Sequence, residues 1–106
     1  MLKDEALSKK IRKLVCNIPK GKVSTYGAIA AAAGKFRGAR QVAYVLSRGY
    51  AKGAPTHRVV NHQGALAPKD VFGKDIQMQM LQEEGVTFLP SGKVDMKNHF
   101  FQPSAI

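Results

Sequence analysis

Thr56 and His57 are the adjacent pair in this chain whose side chains could do chemistry together. A histidine beside a hydroxyl group can act as the base of a nucleophile–base pair, taking the proton of the attacking oxygen. A threonine hydroxyl is nevertheless a weak nucleophile, whereas a cysteine in its place would offer a thiolate near physiological pH. The pair by itself therefore gives little ground for covalent catalysis.

The remaining reactive side chains do not form a second chemical site. Cys16 is the one cysteine, so an intramolecular disulfide is excluded, and its place after Val15 on an amphipathic pattern predicts a small core residue. His57, His62 and His99 lack partners at metal-ligand spacing, and no glycine-rich phosphate loop occurs. We therefore expect neither a metal nor a cofactor.

The distribution of charge predicts a polyanionic partner. The 106 residues suggest a single domain, residues 1–106, and carry 17 basic and 7 acidic side chains. Residues 1–58 hold 13 basic and 2 acidic residues, or +11, while residues 59–106 hold 4 and 5, or −1. Nucleic acid is the favoured partner. A solvated basic surface without a ligand is the alternative, and a membrane surface fits less well.

No stretch of the sequence is long and apolar enough to span a bilayer, and no signal peptide is recognisable. These features predict a cytoplasmic protein, associated with the nucleoid when bound to DNA. We expect a monomer.

Hydrophobic spacing predicts three helices in the basic half. Leu7, Ile11, Leu14 and Val15 share one face of the first. The second should run over residues 26–33 after a Ser24 or Thr25 cap, and the third over residues 38–48 after a turn that begins at Gly34. This pattern is typical of a helix-turn-helix.

The third predicted helix offers a surface for DNA. Val42, Val45 and Leu46 should face the core, so that Arg40, Ala43, Tyr44 and Ser47 face outward. Small residues at positions 38, 39 and 43 keep this helix thin enough to approach a minor groove about 6 Å wide.

The second half predicts shorter elements. Residues 57–60 read as a buried strand, and residues 72–84 as a helix marked by Ile76, Met80 and Leu81 and ended by Gly85. Residues 86–89 and 93–96 flank a turn and predict a hairpin. The fold class is therefore mainly α with a small β-hairpin, a winged-helix-like domain containing a helix-turn-helix.

Four segments, in order and at similar spacing, resemble the O6-alkylguanine-DNA alkyltransferases. They are Ile18–Gly27, Gly38–Val42, Pro55–Val60 and Leu81–Gly85. The terminal hairpin and the aromatic tail are similar to those of the alkyltransferase-like branch, whose members share the fold and lack the acceptor cysteine. In this chain, Thr56 stands at the acceptor position.

The resemblance implies DNA-binding roles for Tyr26, Arg40, Ala43 and Arg58. Tyr26 would press on the phosphate beside the target nucleotide and help to rotate it outward, although a tyrosine also packs readily as a half-buried ring. Arg40 would fill the gap that the extruded base leaves, and an exposed surface arginine is its alternative.

The resemblance also implies a lesion pocket formed by Thr56, His57, Val60 and Lys69. In the family, the histidine is bonded to a glutamate, which Glu84 matches, and this relay deprotonates the cysteine. With threonine at position 56, the site of Thr56, His57 and Glu84 would be vestigial. Threonine also leaves open the volume that a tryptophan fills in most alkyltransferase-like proteins. Lys69 is otherwise an ordinary loop lysine, and Tyr50 receives no role.

The function implied is non-enzymatic recognition of O6-alkylguanine in double-stranded DNA, by minor-groove binding and base flipping, for repair by nucleotide excision repair proteins. Two alternatives stay open. An unorthodox alkyltransferase would use a different acceptor, and a winged-helix transcription regulator would prefer an undamaged sequence.

Overall fold

The computed structural model describes residues 5–49, 51, 53–66 and 74–105. Its first half is helical. Helix α1 spans Glu5–Cys16, α2 spans Tyr26–Ala32 and α3 spans Ala39–Ser47. The Thr25 hydroxyl accepts a hydrogen bond of 3.0 Å from the Ala28 N–H and so begins α2. The three predicted helices and the helix-turn-helix are confirmed. The observed ends of α2 and α3 lie within one residue of the predicted ends.

A small parallel sheet joins the two halves of the chain. Strand β1 is Ser24–Thr25, and strand β2 is Val59–Val60, with Ser24 opposite Val59 and Thr25 opposite Val60. The Val59 side chain packs with α1, α2 and α3, whereas the Val60 side chain joins a second apolar cluster. Strand β2 therefore lies between the two cores, and the residues just before it are held at their junction.

The second core is formed by short elements around α4, Lys74–Glu83. Its buried members come from the residue before β1, from β2, from α4 and from the segments that follow β2 and α4, and they are Val23, Val60, Leu66, Leu81, Val86 and Val94. The predicted hairpin consists of an antiparallel bridge between Phe88 and Val94, with a Leu89 N–H bond of 2.8 Å to the Lys93 carbonyl. A short helix that the sequence pattern did not predict, α5 at Met96–His99, follows it.

The fold class is confirmed as mainly helical and winged-helix-like, but three details of the prediction are wrong. Residues 56–58 form a single 3₁₀ turn, so the strand is shorter than the predicted 57–60. Ile76 is 57% exposed on α4, and the neighbouring Gln77 is buried in its stead. Cys16 is exposed at the end of α1 and does not join the core. Among the described residues, no helix is long and apolar enough to cross a membrane.

Candidate functional site

The Thr56–Arg58 turn presents the candidate site at the junction of the two cores. The Thr56 N–H donates to the Ala54 carbonyl at 2.8 Å, and the Arg58 N–H donates to the Pro55 carbonyl at 3.0 Å. These bonds close the turn immediately before β2, where the backbone is fixed by sheet pairing. Thr56 is left partly exposed, while the neighbouring His57 is buried at 7% exposure.

Glu84, just beyond the end of α4, binds both residues that follow Thr56. Its Oε2 atom lies 3.0 Å from His57 Nε2 and 2.7 Å from Arg58 Nη2, and its Oε1 atom accepts from Arg58 Nε at 2.9 Å. The third nitrogen of the guanidinium, Nη1, donates to the Ile18 carbonyl at 2.9 Å. This clamp of His57, Arg58, Glu84 and the Ile18 carbonyl ties the 3₁₀ turn to α4 and to the segment after α1.

The geometry of the clamp fixes the charge of Glu84. The fork of hydrogen bonds from Arg58 is the largest influence, and with the His57 contact it lowers the Glu84 pKa to about 2 against the opposing effect of burial. The same contact with Glu84 raises the pKa of Arg58. A carboxylate only accepts, so the His57 ring donates to Glu84 from Nε2.

Gln77 supports the same turn from α4. Its side-chain amide donates to the His57 carbonyl at 3.0 Å and to the Val59 carbonyl at 3.2 Å, and the residue is 1% exposed. Two backbone carbonyls on either side of Arg58 are thereby held at fixed positions. Sequence reasoning missed Gln77, because a glutamine on an amphipathic helix predicts solvent exposure and its two acceptors lie 20 and 18 residues away.

Thr56 and His57 are adjacent but not coupled. No hydrogen bond joins the Thr56 hydroxyl to the His57 ring in the part of the chain that the structure describes, and the ring nitrogen Nε2 contacts Glu84. A hydroxyl nucleophile needs such a bond to its base. The arrangement thus joins His57 to a carboxylate and leaves the Thr56 hydroxyl outside that contact.

Two residues predicted for this site have other surroundings. Arg58 was expected on the DNA surface, but all three guanidinium nitrogens bond to Glu84 or Ile18 and its side chain is 16% exposed, so the structure places it in the clamp. Val60 is 0% exposed within the second core and does not face an open pocket. Lys69 and Tyr50 lie outside the described residues.

The outer face of α3 forms a second part of the candidate site. Arg40, Tyr44 and Ser47 are exposed and Ala43 is half-buried, as the helical spacing predicts. The Arg48 guanidinium lies 5.3 Å from the centre of the Tyr44 ring, which places another cation at the end of this face. Arg40 therefore lies exposed on the first turn of α3, between the small residues Ala39 and Ala43.

Tyr26, the first residue of α2, connects this helix pair with the core. It is half-buried against the first cluster, and burial raises the pKa of its hydroxyl. The ring is thus anchored by packing, which is compatible with both interpretations that its sequence position allowed.

A separate open recess of about 460 Å³ lies beside β1 and α5. It is lined by Thr25, His62, Met96, Lys97 and Phe100, and it does not include Thr56 or His57. No three His, Cys, Asp or Glu side chains within the described ranges are grouped to hold a metal ion.

Comparison with known proteins places these features in one family. Residues 6–86 match the model of the DNA-binding domain of 6-O-methylguanine DNA methyltransferase. The chain is 39% identical over 103 residues to the DNA base-flipping protein of Escherichia coli, covering 93% of this chain and 77% of that protein. It is 37% identical over 100 residues to alkyltransferase-like protein 1 of Schizosaccharomyces pombe, covering 89% and 93%.

The fold agrees with that of a solved relative. The crystal structure of S. pombe Atl1 in complex with damaged DNA containing O6-carboxymethylguanine superimposes with a TM-score of 0.81 at 31% identity, covering 96% of this chain and all of that one. The helix-turn-helix and the overall fold agree with these matches. The chain belongs to the 6-O-methylguanine DNA methyltransferase family, through its DNA-binding domain, and it resembles the alkyltransferase-like members of that family.

Proposed function

We propose that this protein is a non-enzymatic sensor of alkylated DNA, which binds duplex DNA through the minor groove and rotates an O6-alkylguanine into a pocket beside Thr56. Relatives named DNA base-flipping protein and alkyltransferase-like protein, one of them solved with damaged DNA, support this assignment. The observation that carries it is the Thr56 hydroxyl, which stands at the acceptor position without a bond to His57.

The helix-turn-helix supplies the DNA-binding part of the proposal. Arg40 lies in the first turn of the exposed α3, where its flat guanidinium can occupy the space of a base that has left the stack. Ala43, one turn later, keeps the helix close to the groove. Tyr26, anchored in the core, offers a rigid ring against the phosphate of the rotating nucleotide.

Retention of the clamp without an acceptor supports binding rather than transfer. The contacts among His57, Arg58 and Glu84 hold the turn whether or not a reaction occurs. Transfer would require the Thr56 oxygen to attack the alkyl carbon, lose its proton and release guanine, and a threonine hydroxyl without a base bonded to it is too weak a nucleophile for that step. The bound lesion would therefore persist.

A sensor that cannot remove the alkyl group requires a second system for repair. We assign that step to nucleotide excision repair proteins, which would recognise the bent and marked site. We also propose that the protein acts as a monomer in the cytoplasm, associated with the nucleoid when it is bound to DNA.

A binding titration tests the proposal directly. Fluorescence polarisation with matched duplexes that contain guanine or O6-methylguanine should show at least about tenfold tighter binding to the lesion. Arg40→Ala should remove most of this preference, while Arg40→Lys keeps the charge but not the flat surface and should restore little of it. Equal affinity for both duplexes would refute the sensor. A change of sequence choice in Arg40→Ala would instead indicate a transcription regulator.

Intact-protein mass spectrometry separates the sensor from an unorthodox transferase. After incubation with the O6-methylguanine duplex, the protein mass should be unchanged. A gain of one methyl group would contradict the proposal. Thr56→Ala and Cys16→Ser variants would then show which of the two side chains had accepted it.

A further inference from the structure

Phe36 lies in the turn between α2 and α3. Its side chain is 85% exposed, more than any other large apolar side chain among the described residues. A single exposed apolar residue is common on protein surfaces and needs no explanation by itself. Phe36 differs because of the backbone that holds it and the charges beside it.

The turn that carries Phe36 is tightly built. The Lys35 N–H donates to the Ala30 carbonyl at 2.9 Å, and the Gly38 N–H donates to the Lys35 carbonyl at 2.9 Å. A Cβ atom on Gly38 would lie 2.7 Å from that same carbonyl oxygen, so only glycine permits this approach. The aromatic ring is therefore directed outward by a closed backbone.

Arg37 adds conformational strain to the same turn. Its φ is 65°, and it is the one non-glycine residue with a positive φ among those described. This conformation costs about 1 kcal/mol or more in a residue with a Cβ atom, and such strain is concentrated at functional sites. The strained residue immediately follows Phe36 and brings the chain into α3.

The charge around Phe36 matches a nucleic acid. Lys35 and Arg37 flank it and are exposed, and Arg40 is exposed on the first turn of α3. No aspartate or glutamate occurs between Glu5 and Asp70, so this whole part of the chain repels other cations and attracts phosphates. An exposed aromatic ring between cations is the combination that stacks on bases while the cations contact the backbone.

We propose that Phe36 is a second DNA-inserting side chain, which wedges against a base step in the minor groove next to the gap that Arg40 fills. Phenylalanine is among the apolar wedges that unstack base steps from the minor groove and bend the duplex. Lys35 and Arg37 contact the phosphates on either side of that step. The proposal rests on the proposed function, and it adds a residue that widens the distortion around the flipped nucleotide.

Three variants test the wedge. Phe36→Ala removes the ring, Phe36→Trp keeps an aromatic wedge, and Ile76→Ala is the matched control because Ile76 is an exposed apolar residue on α4. Binding is measured by polarisation on O6-methylguanine and undamaged duplexes. 2-Aminopurine at the positions flanking the lesion reports unstacking by its fluorescence.

Phe36→Ala should weaken binding to the lesion duplex about tenfold and lower the 2-aminopurine signal of the complex, while Phe36→Trp and Ile76→Ala stay within about threefold of the unmodified protein. Unchanged affinity and signal in Phe36→Ala would overturn the wedge and leave the sensor intact. Equal binding of both duplexes by the unmodified protein would refute the sensor. In that case, a weaker binding of Phe36→Ala to the undamaged duplex would support the wedge, and unchanged binding would overturn it.

Sedimentation velocity tests the alternative that Phe36 contacts a second copy of this chain instead of DNA. A dimer of the unmodified protein that Phe36→Ala converts to a monomer, with DNA affinity unchanged, would assign Phe36 to contact with a second copy and overturn the wedge. A monomer in both proteins, together with the tenfold loss, supports it.

Discussion

At the scale of single residues, the residues after Thr56 decide the geometry of the candidate site. Thr56 stands where the resemblance implies an acceptor, and His57, Arg58 and Glu84 are joined by bonds of 2.7 to 3.0 Å. The family resemblance predicted the contact of His57 with Glu84. The resemblance did not predict the position of Arg58. An arginine next to the candidate site could equally contact a DNA phosphate or a carboxylate, and its carboxylate partner, Glu84, lies 26 residues away in the sequence.

The clamp predicts how stability changes with pH. Glu84 has its pKa lowered from 4.5 to about 2, so the unfolded chain binds the proton more readily. Its contribution is fully present above pH about 4.5 and is lost as the pH falls through about 2; it amounts to about 3 kcal/mol at most. In urea unfolding, Glu84→Gln should be less stable at neutral pH and converge with the unmodified protein near pH 2. Glu83→Gln, an exposed neighbour, should not converge in this way.

At the scale of elements, α4 shows where hydrophobic spacing fails. Ile76, Met80 and Leu81 were expected to mark its buried face, and only Leu81 is fully buried among them, while Gln77 is 1% exposed. The helix is oriented by the bonds of Gln77 to the carbonyls of His57 and Val59, which a pattern of apolar residues does not reveal. Helices α1 to α3 were predictable because their apolar stripes pack against one another.

Gln77→Leu tests this account of α4. The substitution keeps a side chain of similar size but removes both donors, so it should lower the free energy of unfolding by about 2 kcal/mol. Gln79→Leu on the exposed face of the same helix is the matched control and should stay within about 0.5 kcal/mol. Urea unfolding monitored by circular dichroism measures both. Equal effects of the two substitutions would show that the contacts of Gln77 do not orient the helix.

At the scale of the whole molecule, the division of charge along the chain coincides with the division of the fold into two halves. The basic half, residues 1–58 at +11, supplies α1 and the helix-turn-helix, whereas the half at −1 supplies α4, the hairpin and α5. The parallel pairing of β1 with β2 joins them. The sequence did not predict this pairing, since each strand has two residues and no periodicity can be read from so short a run. The charge division, in contrast, is visible in the sequence and predicts which half meets DNA.

That division predicts the salt dependence of binding, because each phosphate neutralised by the basic half releases counterions. With about six phosphate contacts, the slope of log affinity against log salt should be about −5 between 50 and 200 mM. Lys35→Gln, in the turn before α3, should make the slope shallower by about 0.9, and Lys93→Gln, in the half at −1, should leave it unchanged. Polarisation titrations across salt concentrations measure all three proteins. A slope near zero, or equal changes in both variants, would mean that the excess charge of residues 1–58 is only a solvated surface and that DNA is held by other contacts.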